Sequence, residues 1–264
     1  MRNPWQELPS VPPFVAPIDA ELLSRARFTS ELKLDLLPQP WTGNPNSAQV
    51  FMLALNPGFS PNDYIELSNP DYAEQWRLAL SFQTRTPFYF LDPAFKDTGG
   101  YRGWARRLRE LIEVVGIEAV GAKVMCIEHF PYKSVRYAPL GVTLPSQLYS
   151  FELVREAIRQ RKQVVIMRSE RVWLESVPEL RSYPNIRLSN HQNPYLSRAQ
   201  MSGEESGGLW LLCSCKQTSP SPATTLFSCR VTYALVSIGS SSLRRPYPLS
   251  CTIAILRVFL AIQH

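Results

Sequence analysis

Residues 50–63 read VFMLALNPGFSPND. The apolar run 50–55 has the length and composition of a buried strand. Pro57 has no N–H to give a sheet ladder, so the strand stops there. Gly58 suits a tight turn and a close approach of a ligand to the backbone. Asn56 is thereby placed at the carboxyl end of a buried strand, where open α/β sheets bind ligands. An ordinary strand-to-loop turn uses the same three residue types and stands as the alternative.

Three further strands are predicted downstream, at 123–127, 163–167 and 186–188. Helices are predicted between them. The spacing gives one from 72 to 80 and a strongly amphipathic one from 103 to 115, with Trp104, Leu108, Leu111, Ile112 and Val115 on one face and Gly116 at its end. Ser146 is the expected cap of a helix running to about 161, with Leu148, Phe151, Val154, Ala157 and Ile158 turned inward. A short helix is expected over 170–177. Strands alternating with helices imply parallel pairing. The expected fold is α/β, a three-layer α/β/α sandwich around a central, mainly parallel four-stranded sheet. The loops after residues 55, 127, 167 and 188 would then share one edge.

Upstream, residues 1–17 hold five prolines with Trp5 and Phe14. They read as an extended arm on the surface, followed by a short helix capped by Asp19. The aromatic stretch 82–102 reads as a lid over the core. The expected organisation is an arm with a short helix over 1–44, an α/β domain over 45–201 and a tail over 202–264.

The formal charge is +6. Residues 1–201 contribute 23 Lys and Arg against 20 Asp and Glu, and residues 202–264 contribute 5 against 2. The main body is mildly basic, which permits nucleic-acid binding without demanding it. Arg102, Arg106, Arg107 and Arg109 read as a solvated helix face, with phosphate contact as the alternative. Cys126 is the one cysteine of the first 201 residues; Cys213, Cys215, Cys229 and Cys251 lie in the tail. A body with one thiol fits a reducing compartment. With no charged-then-apolar leader and no bilayer-length apolar run, a cytoplasmic location with no membrane association is expected. From 207 onward the tail has no acidic residue and no clear period. That composition points to a change of reading frame near 205–208, with a real but unusual tail as the alternative. The histidines His129, His191 and His264 lack metal-ligand spacing, and no phosphate-cradling glycine loop is present.

Residues 50–60, VFMLALNPGFS, resemble the first signature of the uracil-DNA glycosylase superfamily, in its mismatch-specific and single-strand-selective branches. Residues 188–198, LSNHQNPYLSR, resemble its second signature, a late loop with Leu-Ser-Arg. Two departures stand out: a tyrosine, Tyr195, where the late loop usually has serine, and Glu128-His129 near the place of the uracil-reading asparagine. The resemblance implies a monomeric hydrolase, free of cofactor and metal, that breaks the N-glycosidic bond of uracil or a related base in double- or single-stranded DNA. It makes Asn56 the group that orients the attacking water and His191 the donor to the departing base. Backbone N–H groups of Gly58 and Phe59 would bind base oxygens. Phe59 or one ring of Phe88–Phe90 would stack on the flipped base, and Glu128 and His129 would lie against it. Tyr195 or Leu196 would wedge the duplex, with Ser197 and Arg198 on the phosphates. A non-catalytic nucleic-acid- or nucleotide-binding relative, and a domain whose crevice serves a protein partner, are the other readings.

Overall fold

The structure is a computed structural model; it describes residues 1–26, 31–189 and Leu196. The chain is mixed α/β, built on one mostly parallel sheet. Its strands are β1 (Trp41–Thr42), β2 (Val50–Ala54), β3 (Val124–Glu128), β4 (Gln163–Ile166) and β5 (Ile186–Leu188), in the order β1-β3-β2-β4-β5. The four expected strands are present and parallel, and β2 is central, with Val50 opposite Val124 on one side and Gln163 on the other. The sheet has five strands rather than four. The fifth, β1, is a two-residue antiparallel edge with Trp41 opposite Ile127. Two residues are too few for a hydrophobic period, so β1 leaves no trace in sequence. Gly43 makes it fit: a Cβ there would lie 2.6 Å from the Val124 carbonyl oxygen, and its φ is +113°.

Successive strand side chains point to opposite faces. Phe51, Leu53, Met125, Ile127, Val164 and Ile166 belong to one hydrophobic cluster; Val50, Met52, Val124, Cys126 and Val165 belong to another. The first cluster takes Phe151, Val154 and Ala157 from α7 (Pro145–Arg159) and Trp173 from α8 (Glu170–Ser176). The second takes Tyr72, Trp76 and Ala79 from α3 (Pro70–Ala79).

Several expectations are corrected in detail. The proline-rich arm is built into the molecule, not laid over it: Trp5 and Ala16 are buried in the first cluster. Trp5 meets Trp41 and Tyr132 edge-on. Asp19 precedes α1 (Ala20–Arg25) but makes no capping bond to it. The 103–115 helix starts earlier and is broken, as α4 (Gly99–Arg107) and α5 (Arg109–Val115). Thr98 caps α4 through the Tyr101 N–H. The bend falls at Leu108, which is fully buried, and hydrogen bonds from Leu108 to Trp104 and from Ile112 to Leu108 carry across it. A further helix, α6 (Ile117–Lys123), leads straight into β3. Ser146 lies inside α7, whose N-cap is Leu144, and Leu148 faces solvent. Phe88, Tyr89, Phe90 and Phe95 are core residues of the second cluster, not a lid. The tail after 201 lies outside the described residues, and among the described residues no helix is long and apolar enough to cross a membrane.

Candidate functional site

Ala54 ends β2, but its pairing continues. The Ala54 and Leu55 carbonyls accept from the His129 and Phe130 N–H groups, and the Trp173 indole donates to Ala54 at 2.8 Å. Pro57 then stops the ladder. Asn56 donates from Nδ2 to Ser134 Oγ at 2.9 Å and to the Pro57 carbonyl at 3.1 Å. Both amide protons are thus committed, so the group Asn56 presents to a ligand is its Oδ1 acceptor. Lys133 Nζ donates to the Gly58 carbonyl at 3.0 Å, and the Phe59 N–H donates to the Ser134 carbonyl. The loop after β3 therefore clasps the loop after β2 at three points.

A cavity of about 360 Å³ opens at these carboxyl ends. Asn56, Gly58 and Phe59 come from the β2 loop, Glu128 and Lys133 from the end of β3, and Met167 and Arg168 from the end of β4. Tyr72, Phe90, Trp104 and Arg107 form the facing wall, with Asp63 and Glu66 of α2 (Asn62–Leu67) beside them. Phe90 and Trp104 are stacked, 23° from parallel.

Charge is concentrated and buried here. Lys133 is paired with Asp63 Oδ2 at 3.2 Å and lies over the Trp76 ring. Burial pulls its pKa down, against the carboxylates of Asp63, Glu128 and Glu66. Arg107 lies over the Trp104 ring, and burial lowers its pKa as well. Glu128 is 6% exposed. Desolvation pushes its carboxyl up to about 8, and the opposing fields of Lys133, Arg107 and Arg168 do not cancel that. Taking an ion out of water costs more than cations without a direct hydrogen bond return. Its Oε2 has no hydrogen-bond partner among the described residues. Burial thus favours the protonated carboxyl at Glu128 near neutral pH, and that form has one O–H to give.

The structure brings Asn56, Gly58, Phe59 and Glu128 to this one cavity. It excludes His129, Phe88 and Leu196. His129 turns to the other side of the sheet, where Nε2 meets Ser176 Oγ at 2.9 Å and Nδ1 meets Gln147 at 3.2 Å, between Phe151 and Trp173. Glu128 is the last residue of β3 and His129 the first of the bend after it, and their side chains leave on opposite sides of the sheet. Phe88 is fully buried in the second cluster; Phe90 is the ring at the cavity. Leu196 is core too, its N–H held by the Arg107 carbonyl, and cannot wedge a duplex. The Phe59 N–H is spent on Ser134 and is withdrawn as an oxyanion donor. Gly58 is not needed for a tight turn: a Cβ there meets nothing within 4 Å. His191, Tyr195, Ser197 and Arg198 lie outside the described residues.

Sequence reasoning missed Lys133, Ser134, Arg107, Arg168, Asp63 and Tyr72. A signal existed for Lys133 and Ser134, which follow the proline-stopped strand β3 as Asn56 follows β2. Arg107 hid within a run of arginines that read as a solvated face. Among the described residues, no group of three or more His, Cys, Asp or Glu is placed to hold a metal ion. Compared with known protein families, curated proteins and solved structures, the chain gives no match.

Proposed function

We propose that this chain is a DNA glycosylase-like hydrolase that cleaves the N-glycosidic bond of uracil or a related base. The observation that carries the reading is Asn56. Its amide is locked by Ser134, which leaves Oδ1 as the acceptor it has to offer, and the residue lines a base-sized cavity at the carboxyl end of the central strand. An acceptor held this way orients a water on the anomeric carbon as the sugar gains positive charge. Phe90, Trp104 and Tyr72 provide aromatic wall for a flipped base. The cavity volume is near the lower end for small-ligand sites, in keeping with one planar ring. The likeness of residues 50–60 and 188–198 to the two uracil-DNA glycosylase signatures supports the same assignment, with His191 as base donor and Arg198 on phosphate. We read the two clusters flanking the sheet as the packing of a three-layer sandwich, and the buried free thiol Cys126, the one cysteine among the described residues, as fitting a reducing, cytoplasmic setting.

The test uses uracil-containing single- and double-stranded oligonucleotides followed by alkali cleavage. Strand scission at the uracil is expected, and failure on both substrates would sink the enzymatic reading. Three cations at the cavity, Lys133, Arg107 and Arg168, favour a second reading, a nucleotide- or nucleic-acid-binding relative without catalysis. Salt-sensitive binding without scission would select it.

A further inference from the structure

We infer that Glu128 is a general acid, protonating the base as it leaves, while Asn56 holds the water that replaces it. This rests on the glycosidic reading above and adds to it the group that moves the proton.

Register is the first ground. Glu128 pairs with Ala54 across β2 and β3, and Asn56 lies two residues beyond Ala54 in the adjoining loop. One carboxyl and one carboxamide therefore enter the same cavity from neighbouring strand ends. The second ground is Glu128 Oε2, which is buried and has no hydrogen-bond partner among the described residues. Buried polar atoms are nearly always paired, and an orphan in a ligand-sized cavity is explained by a ligand atom that completes it. The third is charge. Lys133 from the β3 loop, Arg107 from α4 and Arg168 after β4 all act on Glu128, and Glu128 in turn raises the Cys126 thiol on its own strand; Lys133 is itself tied to Asp63. These cations do not keep the resting carboxyl ionised, since burial outweighs them. They do stabilise the carboxylate formed once the proton has left.

The step balances. The C1′–N bond breaks and its electron pair stays on the base. The Glu128 proton passes to an acceptor atom of that base, an oxygen or ring nitrogen. The Asn56-held water bonds to C1′, and its surplus proton returns to the Glu128 carboxylate. The products are the free base and the abasic sugar, and the enzyme is restored. A base that leaves poorly as an anion is the substrate class that needs this acid most.

Single-turnover excision measured from pH 5 to 10 tests it, with wild type and Glu128→Gln on matched uracil and 5-fluorouracil oligonucleotides. Wild-type rate is expected to hold up to about pH 8 and then fall tenfold per pH unit. Glu128→Gln, which keeps size and a hydrogen bond, is expected to lose roughly 100-fold or more on uracil and to lose the pH break. Fluorine makes the base a better anion, so the loss on 5-fluorouracil is expected to be at least tenfold smaller. Wild-type excision that is flat through pH 8, or an equal loss on both bases, overturns the general acid while leaving the glycosylase standing. No excision by wild type of either base overturns the glycosidic reading itself, and this inference with it.

Discussion

Asp19 caps a helix 127 residues away. Its Oδ1 accepts the Ser146 backbone N–H at 2.9 Å, in the first turn of α7, and its Oδ2 accepts the Tyr132 hydroxyl at 2.7 Å. Tyr132 in turn accepts the Ala16 N–H at 3.1 Å. One buried carboxylate thus ties the N-terminal arm, the β3 loop and α7 together. Asp19→Ala leaves a helix N–H and a buried hydroxyl without an acceptor. It is expected to cost about 2 to 4 kcal/mol by denaturant titration. Tyr132→Phe removes one of Asp19's two bonds and also the acceptor of the buried Ala16 N–H, and is expected to cost about 1 to 3 kcal/mol. A loss below 0.5 kcal/mol for Asp19→Ala, as for a typical surface change, would show the arm is not structurally joined.

Asn56→Ala removes the acceptor proposed to hold water. Excision is expected to fall on the order of 100-fold or more, with little change in DNA binding. Ser134→Ala keeps Asn56 but frees its amide to rotate. A loss on the order of tenfold is expected, in kcat rather than KM. Equal activity of Ser134→Ala and wild type in single-turnover assays would mean the Ser134 bond does no orienting.

Gly100 lies in the first turn of α4, under the Phe90 ring. A Cβ there would come within 2.4 Å of Phe90 Cδ1. Gly100→Ala must displace Phe90, and Phe90 is stacked on both Tyr89 and Trp104. A loss of about 1 to 3 kcal/mol is expected, with altered Trp fluorescence reporting the moved stack. Gly58→Ala, in open space, is expected to leave the melting temperature unchanged within about 1 °C, because a free surface methyl costs little.

His129 makes the fold acid-sensitive. Burial holds its pKa down at about 4, from 6.5. Stability from the neutral ring is fully present above pH 6.5 and is lost as pH falls to 4. The total is on the order of 3 kcal/mol at 1.36 kcal/mol per pH unit. His129→Gln, which cannot titrate, is expected to flatten the stability profile between pH 6.5 and 4. Chemical denaturation across that window checks it; an unchanged slope would place the acid sensitivity elsewhere.

Glu128 works in the opposite sense. Its carboxyl is raised from 4.5 to about 8, so its contribution is fully present below pH 4.5 and is lost as pH rises to 8. Glu128→Gln is therefore expected to match wild type near pH 4 and to exceed it at pH 9. The margin is at most on the order of 5 kcal/mol, an upper figure since water can reach the cavity. A constant difference between the two proteins from pH 4 to 9 would mean that Glu128 titrates normally.

The central parallel strands and the place of Asn56 were legible in sequence. A run such as 50–55 that is apolar on both faces has few other homes, and a proline after it leaves the chain little choice but to stop pairing. The same local rules found β3, β4 and β5. They could not find β1, whose two residues are defined by their partner Ile127, or the bend at Leu108, which has no breaker residue beside it. Nor could they choose between Glu128 and His129. Adjacent in sequence and both polar, they are parted where strand gives way to bend, one entering the cavity and the other lying between Phe151 and Trp173. Composition alone reads Arg107 as surface and gives Lys133 no role. Only packing set them beside Glu128, because charge pairing and desolvation depend on distances between segments that are far apart along the chain.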